Sequence, residues 1–335
     1  MTILVTGAAG FIGSNFVLDW FADNQEPVIS LDLLTYAGNL KNLHSLDKNP
    51  SHHFIHGDIA DSRLVSELLK NFKPRAIINF AAETHVDRSI EGPEAFIQTN
   101  IFGAFKLLES ARSYFDFLDR TQKKNFRFLQ ISTDEVYGSL KKNDRSFTEE
   151  FAYKPNNPYS ASKAASDHLM RAWFETYGFP VIRINSSNNY GPHQFAEKLI
   201  PLTVINALSK KIISIYGNGK YIRDWLYVKD FTCAIRHILD KGIVGEAYNV
   251  GGQSEKENLE VVELVCEILD KLSPRDDFLS YKSLITHVKN RPGHDRRYSV
   301  NISKIKDELK WQPQVLFEDG ILKTVSWYLK YLNKI

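Results

Sequence analysis

Thr2-Ile-Leu-Val-Thr6-Gly7-Ala-Ala-Gly10-Phe-Ile-Gly13 opens the chain, and its reading decides the fold. A short β-branched, apolar run breaks at three glycines spaced G-x-x-G-x-x-G, then passes directly into a segment of helical period near 11–23. Strand, tight turn and helix in that order bring backbone amides and a helix N-terminus to a point where a pyrophosphate can approach, provided no Cβ intervenes. Asp32 ends the next strand-like run, roughly 20 residues after the glycines, where a carboxylate accepts hydrogen bonds from a ribose 2′-hydroxyl. The same carboxylate repels a 2′-phosphate, and Leu33-Leu-Thr35 supplies no arginine to receive one. The pattern therefore favours NAD over NADP.

Working outward, apolar runs near 2–6, 27–32, 53–57, 76–80, 126–132 and 180–185 read as strands. Between them, segments near 11–23, 61–71, 94–116 and 159–177 read as helices, the last beginning after Asn157-Pro158. This alternation predicts an α/β fold, a doubly wound parallel sheet of the Rossmann type. After Asn189-Tyr-Gly-Pro192 the pattern is helical near 196–209, 229–241, 258–272, 301–309 and 318–332, with a strand near 213–216. We read a smaller C-terminal α/β lobe there: 1–190 for the cofactor, 191–335 for the substrate, some chain crossing between them, and no repeats or flexible linker. Asp58-Ile59 after the third strand is placed to bracket an adenine, or Asp58 caps the helix that starts near Asp61. Ala81-Ala82 follows the fourth strand and leaves room for cofactor backbone contact.

Composition excludes several function classes. The 335 residues are 43% hydrophobic and 24% charged, and 42 basic against 40 acidic side chains leave a formal net charge of +2. That balance, without a Lys/Arg block, gives no electrostatic case for a nucleic-acid partner. No run is long and apolar enough for a bilayer span and no leader pattern is present, so a cytoplasmic location is expected. Cys233 and Cys266 lack metal-site spacing and read as small core residues. His85 and Asp87 have no third ligand at suitable spacing, so no metal is expected; Asp87 and Arg88 read as a structural pair. Trp225, Tyr227 and Tyr221 read as one aromatic cluster beside Arg223.

The chemistry is carried by Ser132-Thr133-Asp134-Glu135-Val-Tyr-Gly138 and Tyr159-Ser-Ala-Ser-Lys163. Tyr-x-x-x-Lys sets phenol and ammonium one helical turn apart on one face, so Lys163 is expected to lower the Tyr159 pKa. Tyr159 then takes a hydroxyl proton while hydride leaves the same carbon. A plain dehydrogenase does not need two adjacent carboxyls. Asp134 and Glu135, if they face the substrate, supply an acid and a base for a second step such as loss of water; otherwise they are a solvated pair in a loop.

Together with Asp32-Leu-Leu-Thr-Tyr-Ala-Gly-Asn39, Ala81-Ala-Glu-Thr-His-Val-Asp-Arg-Ser89, Ser187-Asn-Asn-Tyr-Gly-Pro192, Ile222-Arg-Asp-Trp225 and Arg291-Pro-Gly-His-Asp-Arg-Arg297, these segments make the chain resemble the extended short-chain dehydrogenase/reductase family over nearly its whole length. Thr133-Asp134-Glu135 resembles its nucleotide-sugar 4,6-dehydratase branch. Sugar-nucleotide 4-epimerases lack the acid pair there.

The resemblance implies an NAD-bound lyase acting on dTDP-glucose. Tyr159, with Lys163 and Thr133, would serve C4 oxidation, Glu135 would remove the C5 proton, Asp134 would protonate the leaving 6-hydroxyl, and the hydride would return to C6. It places Gly7, Gly10, Phe11, Ile12, Gly13, Asp32, Leu33, Thr35, Asp58, Ile59, Ala81, Ala82, Thr99, Tyr159, Lys163 and Asn189 at the cofactor. Thr84, Asn188, Lys198, Leu199 and Tyr216, with Asp134 and Glu135, would touch substrate; Arg223, Asn258, Arg291 and His294 would hold its nucleotide. It further implies a homodimer built on the helices near 94–116 and 159–177. Asn290 stands where the family usually carries Asp and Thr84 where Ser is common, so a UDP-linked sugar, like a 4-epimerase activity, remains an alternative.

Overall fold

The computed structural model describes residues 1–23, 25–290 and 292–332. Seven parallel strands form the central sheet in the order Ala247–Val250, Val181–Ser186, Arg127–Thr133, Ala76–Asn79, Ile3–Thr6, Val28–Asp32, His52–His56. The six strands read from the sequence are all present, within a residue or two of the expected bounds. The seventh comes from beyond residue 190 and covers the edge that Val181–Ser186 would otherwise expose. Winding reverses between Ile3–Thr6 and Ala76–Asn79, and ligands of such sheets bind outside the strands' carboxyl ends at that reversal.

Side chains on successive strand positions point to opposite faces, and the core follows suit. Ile3 and Val5 join Phe16, Val17, Trp20, Phe231 and Ile235 on one face. Leu4, Ile29, Leu31 and Ile77 join Val65, Leu107, Phe128 and Met170 on the other. Helices Phe11–Asp23 and Val228–Lys241 thus cover the first face, and Ser62–Phe72, Ala104–Asp116 and Pro158–Tyr177 the second. A third core, around Tyr190, Val204, Trp225, Val262, Val265 and Phe317, builds the smaller lobe. There Glu255–Glu257, Ile222–Tyr227 and Asn188–Tyr190 make one small sheet, and Ile285–Val288 pairs with Ile213–Tyr216.

The segment near 94–116 is not a uniform α-helix. Ile97–Gly103 takes π-helical geometry between Glu94–Phe96 and Ala104–Asp116. Its widened turn carries Asn100, which is buried: the Oδ1 accepts from the Glu83 amide at 2.8 Å, and the Nδ2 donates to the Glu83 carbonyl at 3.0 Å and to Ser162 Oγ at 2.8 Å. Such bulges concentrate at functional sites, and here one fastens the loop after Ala76–Asn79 to the helix bearing Tyr159.

Three local expectations change. Cys266 is buried but Cys233 is exposed. Asp87 and Arg88 do not pair with each other: Asp87 accepts from the Tyr216 hydroxyl at 3.2 Å, while the Arg88 guanidinium lies 3.8 Å from the Tyr36 ring centre and 3.9 Å from Glu197. As consecutive residues of helix Val86–Glu91, they project about 100° apart and so reach different neighbours. Trp225 and Tyr227 pack on Tyr190, whereas Tyr221 stacks on His294 at 3.7 Å, because Tyr221 lies before the strand whose alternation turns 225 and 227 inward. No helix among the described residues is long and apolar enough to cross a membrane.

Candidate active site

The glycine turn is sterically obligatory. Gly7 has φ +64°, and a Cβ there would sit 2.6 Å from the Ala81 amide nitrogen; a Cβ on Gly13 would sit 2.2 Å from the Gly7 carbonyl oxygen. These contacts close the turn onto the sheet and leave the first amides of Phe11–Asp23, unpaired within any helix, facing the carboxyl edge. Asp32 fixes the second side: Oδ2 accepts from Ala9 N at 2.8 Å and Oδ1 from Leu34 N at 2.7 Å. A carboxylate has about four acceptor positions, so each oxygen keeps capacity for a sugar hydroxyl. Asp58 accepts from Ala60 N at 2.8 Å, while Asp61 is the residue that caps Ser62–Phe72. The turn in which Asp58 sits aims that loop; it does not start the helix.

Every residue assigned above to the cofactor lines one cleft, which runs from the glycine turn past Asp32, Ile59, Ala81 and Thr99 to Tyr159, Lys163 and Asn189. Donor amides at the glycine turn, a carboxylate with spare acceptors and no following cation beside it, and a phenol at the far end fit a dinucleotide with a free 2′-hydroxyl.

At the far end, strand Arg127–Thr133 runs into the 3₁₀ turn Asp134–Tyr137, and Thr133 Oγ1 caps that turn by accepting from Glu135 N at 3.2 Å. Asp134 is 1% exposed. Its Oδ1 accepts weakly from Thr133 Oγ1 at 3.5 Å and its Oδ2 is buried with no partner. Burial, then the neighbouring Glu135 and Asp224 charges, push this carboxyl well above the usual carboxylate range. Glu135 is less enclosed, and its Oε2 accepts from the Tyr298 hydroxyl at 3.3 Å. Tyr159 follows the Asn157 cap and its reciprocal Ser160 contact at the start of Pro158–Tyr177, with its ring edge-on to Phe96.

The expected lowering of Tyr159 by Lys163 is not seen: the phenol lies above its ordinary value. Burial and the Glu135 charge raise the phenol, and the Thr133 hydroxyl bonded to it works in the opposite direction. The Lys163 ammonium is held by the Ile131 carbonyl at 2.7 Å, so its charge is anchored under the strand, and burial lowers it to about 8.

On the substrate side, Thr84, Asn188 and Lys198 line the same cleft, as do Asp134 and Glu135. Lys198 Nζ donates to the Thr84 carbonyl at 2.9 Å, and the Asn188 and Asn189 side-chain oxygens are buried without partners. Leu199, Tyr216, Arg223, Asn258 and His294 are not part of that lining. Leu199 opens helix Leu199–Leu208 beside it. Arg223, 5% exposed, donates to the Asp295 carbonyl at 3.0 Å and lies 4.3 Å from the Tyr298 ring centre. Asn258 opens Asn258–Leu272 with its Oδ1 buried and unpartnered. His294 Nδ1 is 2.6 Å from Asn290 Oδ1, and the Asn290 amide also reaches the Tyr221 hydroxyl. Arg291 lies outside the described residues. Among the described residues no group of three His, Cys, Asp or Glu could hold a metal; His85 accepts from Arg88 N and so caps its own helix.

Several site residues went unread in the sequence. Glu197 accepts from the Tyr36 hydroxyl at 3.1 Å, Tyr298 touches Glu135, and the buried Asp167 accepts from Ser132 at 2.6 Å. Only Asp167 carried a usable signal, its spacing of four from Lys163.

A family model described as GDP-mannose 4,6 dehydratase matches residues 4–324. A dTDP-glucose 4,6-dehydratase of Xanthomonas campestris is 56% identical over 98% of this chain and 93% of its own. The crystal structure of a dTDP-glucose 4,6-dehydratase from Streptomyces venezuelae, with NAD bound, superposes with a TM-score of 0.90 at 42% identity, covering 100% of this chain and 98% of that one. A Thermotoga maritima UDP-glucose 4-epimerase reaches 0.86 at 27%, over 99% and 100%. Backbone shape is thus shared with epimerases, while sequence identity is much higher to the dehydratases: the chain belongs to the dTDP-glucose 4,6-dehydratase family.

Proposed function

We propose that the chain converts dTDP-glucose to dTDP-4-keto-6-deoxy-glucose with a tightly held NAD. The observation that carries the reading is the meeting of Asp134, Glu135 and Tyr159 in one cleft with the dinucleotide cradle. Bound NAD supplies the hydride acceptor for C4 and, once reduced, the donor for C6, so none is consumed. Tyr159, bonded through Thr133, receives the 4-hydroxyl proton, and the anchored Lys163 charge stabilises the phenolate that this hydrogen transfer requires. The resulting ketone acidifies the C5 hydrogen, which Glu135 removes; after hydride returns to C6, Glu135 delivers a solvent-exchanged proton back to C5. Asp134 protonates the departing 6-hydroxyl; its raised pKa supports the choice of this carboxyl as the one that keeps its proton near neutrality.

In the same proposal, residues 1–190 hold NAD and 191–335 the nucleotide sugar, with Ala247–Val250 crossing back into the sheet. Arg223, Asn258, Arg291 and His294 serve the nucleotide, an assignment supported by the buried, unpartnered Asn258 oxygen and the Tyr221–His294 stack. A homodimer through the helices near 94–116 and 158–177 is supported by Ile97, Phe102 and Tyr177, which are 45%, 46% and 53% exposed. Two unpaired cysteines agree with a cytoplasmic location. The test is turnover of dTDP-glucose in heavy water followed by NMR. A C6 methyl, a C4 ketone and deuterium at C5 are expected; unchanged substrate or a galactose configuration would overturn the reading.

A further inference from the structure

Beneath the reacting centre lies a polar cluster that the steps above do not use. Asp167 is completely buried in helix Pro158–Tyr177, four residues after Lys163 and therefore on the same face. Its Oδ2 accepts from Ser132 Oγ at 2.6 Å, from the Tyr153 hydroxyl at 3.2 Å and from Asn185 Nδ2 at 3.4 Å. Its Oδ1 is buried with no hydrogen-bond partner. Donors from a strand, a loop and a second strand thus converge on one oxygen of a carboxylate that has no access to water. A buried carboxylate without an opposing charge is unfavourable, as is a buried ammonium. Lys163, 4% exposed, stands one turn away with its Nζ on the Ile131 carbonyl. Ser132, the residue gripped most closely, directly precedes Thr133, Asp134 and Glu135.

We propose that Asp167 is a positioning residue for the reaction: it balances the Lys163 charge from below and, through Ser132, holds the strand end that carries Thr133 and the acid pair. This rests on the roles given to Tyr159 and Lys163 above. Burial raises the Asp167 carboxyl above its ordinary range, and Lys163, the Ser132 hydroxyl and Arg183 on Val181–Ser186 work against that rise in favour of the carboxylate. Tyr153 and Tyr137 face Asp167 from the loop and the 3₁₀ turn, and Glu135 and Asp134 act on Tyr159. Burial draws the ammonium down and Asp167 is the charge that raises it. Its removal therefore deprotonates Lys163 at lower pH.

The experiment compares wild type, Asp167→Asn and Ser132→Ala. Lys163 is titrated directly by lysine-selective ¹⁵N NMR on the NAD-loaded protein, and kcat is followed against pH with dTDP-glucose. For Asp167→Asn the Lys163 titration and the alkaline limb of kcat should both move down by about one pH unit, which from a starting value of about 8 is about a fivefold loss of kcat at pH 8, with an undiminished Tm. Ser132→Ala keeps the charge, so its limb should stay in place while kcat falls. An unmoved titration and limb in Asp167→Asn would overturn the proposal, whatever happens to kcat; should that variant not fold, Asp167→Ser reads the same titration. Failure of the wild type to turn over dTDP-glucose would instead sink the reading of function, and the Lys163 titration would still decide the role of Asp167 separately.

Discussion

Asp134→Asn separates the two halves of the reaction. The substitution keeps shape and size and removes only the transferable proton. Asp134 has one weak acceptor contact, at 3.5 Å, and one buried oxygen with none, so little native bonding is lost. Loss of a general acid slows a step by about 10²- to 10⁴-fold, or about 2.7–5.4 kcal/mol at about 1.36 kcal/mol per decade. That loss should fall on elimination alone, because C4 oxidation engages Tyr159. Stopped-flow absorbance should therefore show reduced nicotinamide forming and persisting, while methyl formation is slowed by that factor.

Stability supplies an independent check. A carboxyl raised by burial binds its proton more tightly folded than unfolded, so the folded state loses stability as pH rises above the ordinary carboxyl value of 3.8. The amide has no such loss. Asp134→Asn should melt at or above the wild-type temperature at neutral pH, and this difference should vanish below the ordinary carboxyl range. Elimination within about tenfold of wild type, or a variant that melts lower at neutral pH, would refute the protonated acid.

Three further variants probe the rest of the cleft. Glu135→Gln should also let reduced nicotinamide accumulate, and should stop deuterium from entering C5; C5 exchange at the normal rate in that variant would assign the base elsewhere. Tyr159→Phe should abolish both phases, and near-normal turnover by it removes the phenol from the chemistry. Gly13→Ala forces a Cβ to within 2.2 Å of the Gly7 carbonyl, which should destabilise the chain by about 1–3 kcal/mol in urea and release NAD on gel filtration. A stable, NAD-loaded Gly13→Ala protein would show that the turn has room we do not see.

The middle of the central sheet was legible because Ile3–Thr6, Val28–Asp32 and Ala76–Asn79 are buried along their whole length and so read as largely apolar runs. Ile222-Arg-Asp-Trp-Leu-Tyr227 was not, since Arg223 and Asp224 are both buried within it. Two charges in a strand interior make sense only through partners distant in sequence: Asp224 accepts from the Gly252 and Ser254 amides, and Arg223 donates to the Asp295 carbonyl. Glu255–Glu257 is polar throughout and likewise gave no signal. At the site, the glycine turn, Asp32 and the acid pair were readable because local geometry demands those residue types. The contact between Tyr298 and Glu135 joins positions 163 residues apart, and no local spacing announces it. The π-helical turn at Ile97–Gly103 was equally silent, as helical period tolerates one extra residue.

Ala247–Val250 completes the large sheet at the flank of Val181–Ser186. During synthesis, therefore, some sixty residues must emerge after that sixth strand before its outer ladder finds a mate. A fragment ending at residue 190 would leave a row of peptide groups bare and ready to recruit another chain. Severing the molecule where its two halves meet in sequence yields a sticky half, not a smaller working one.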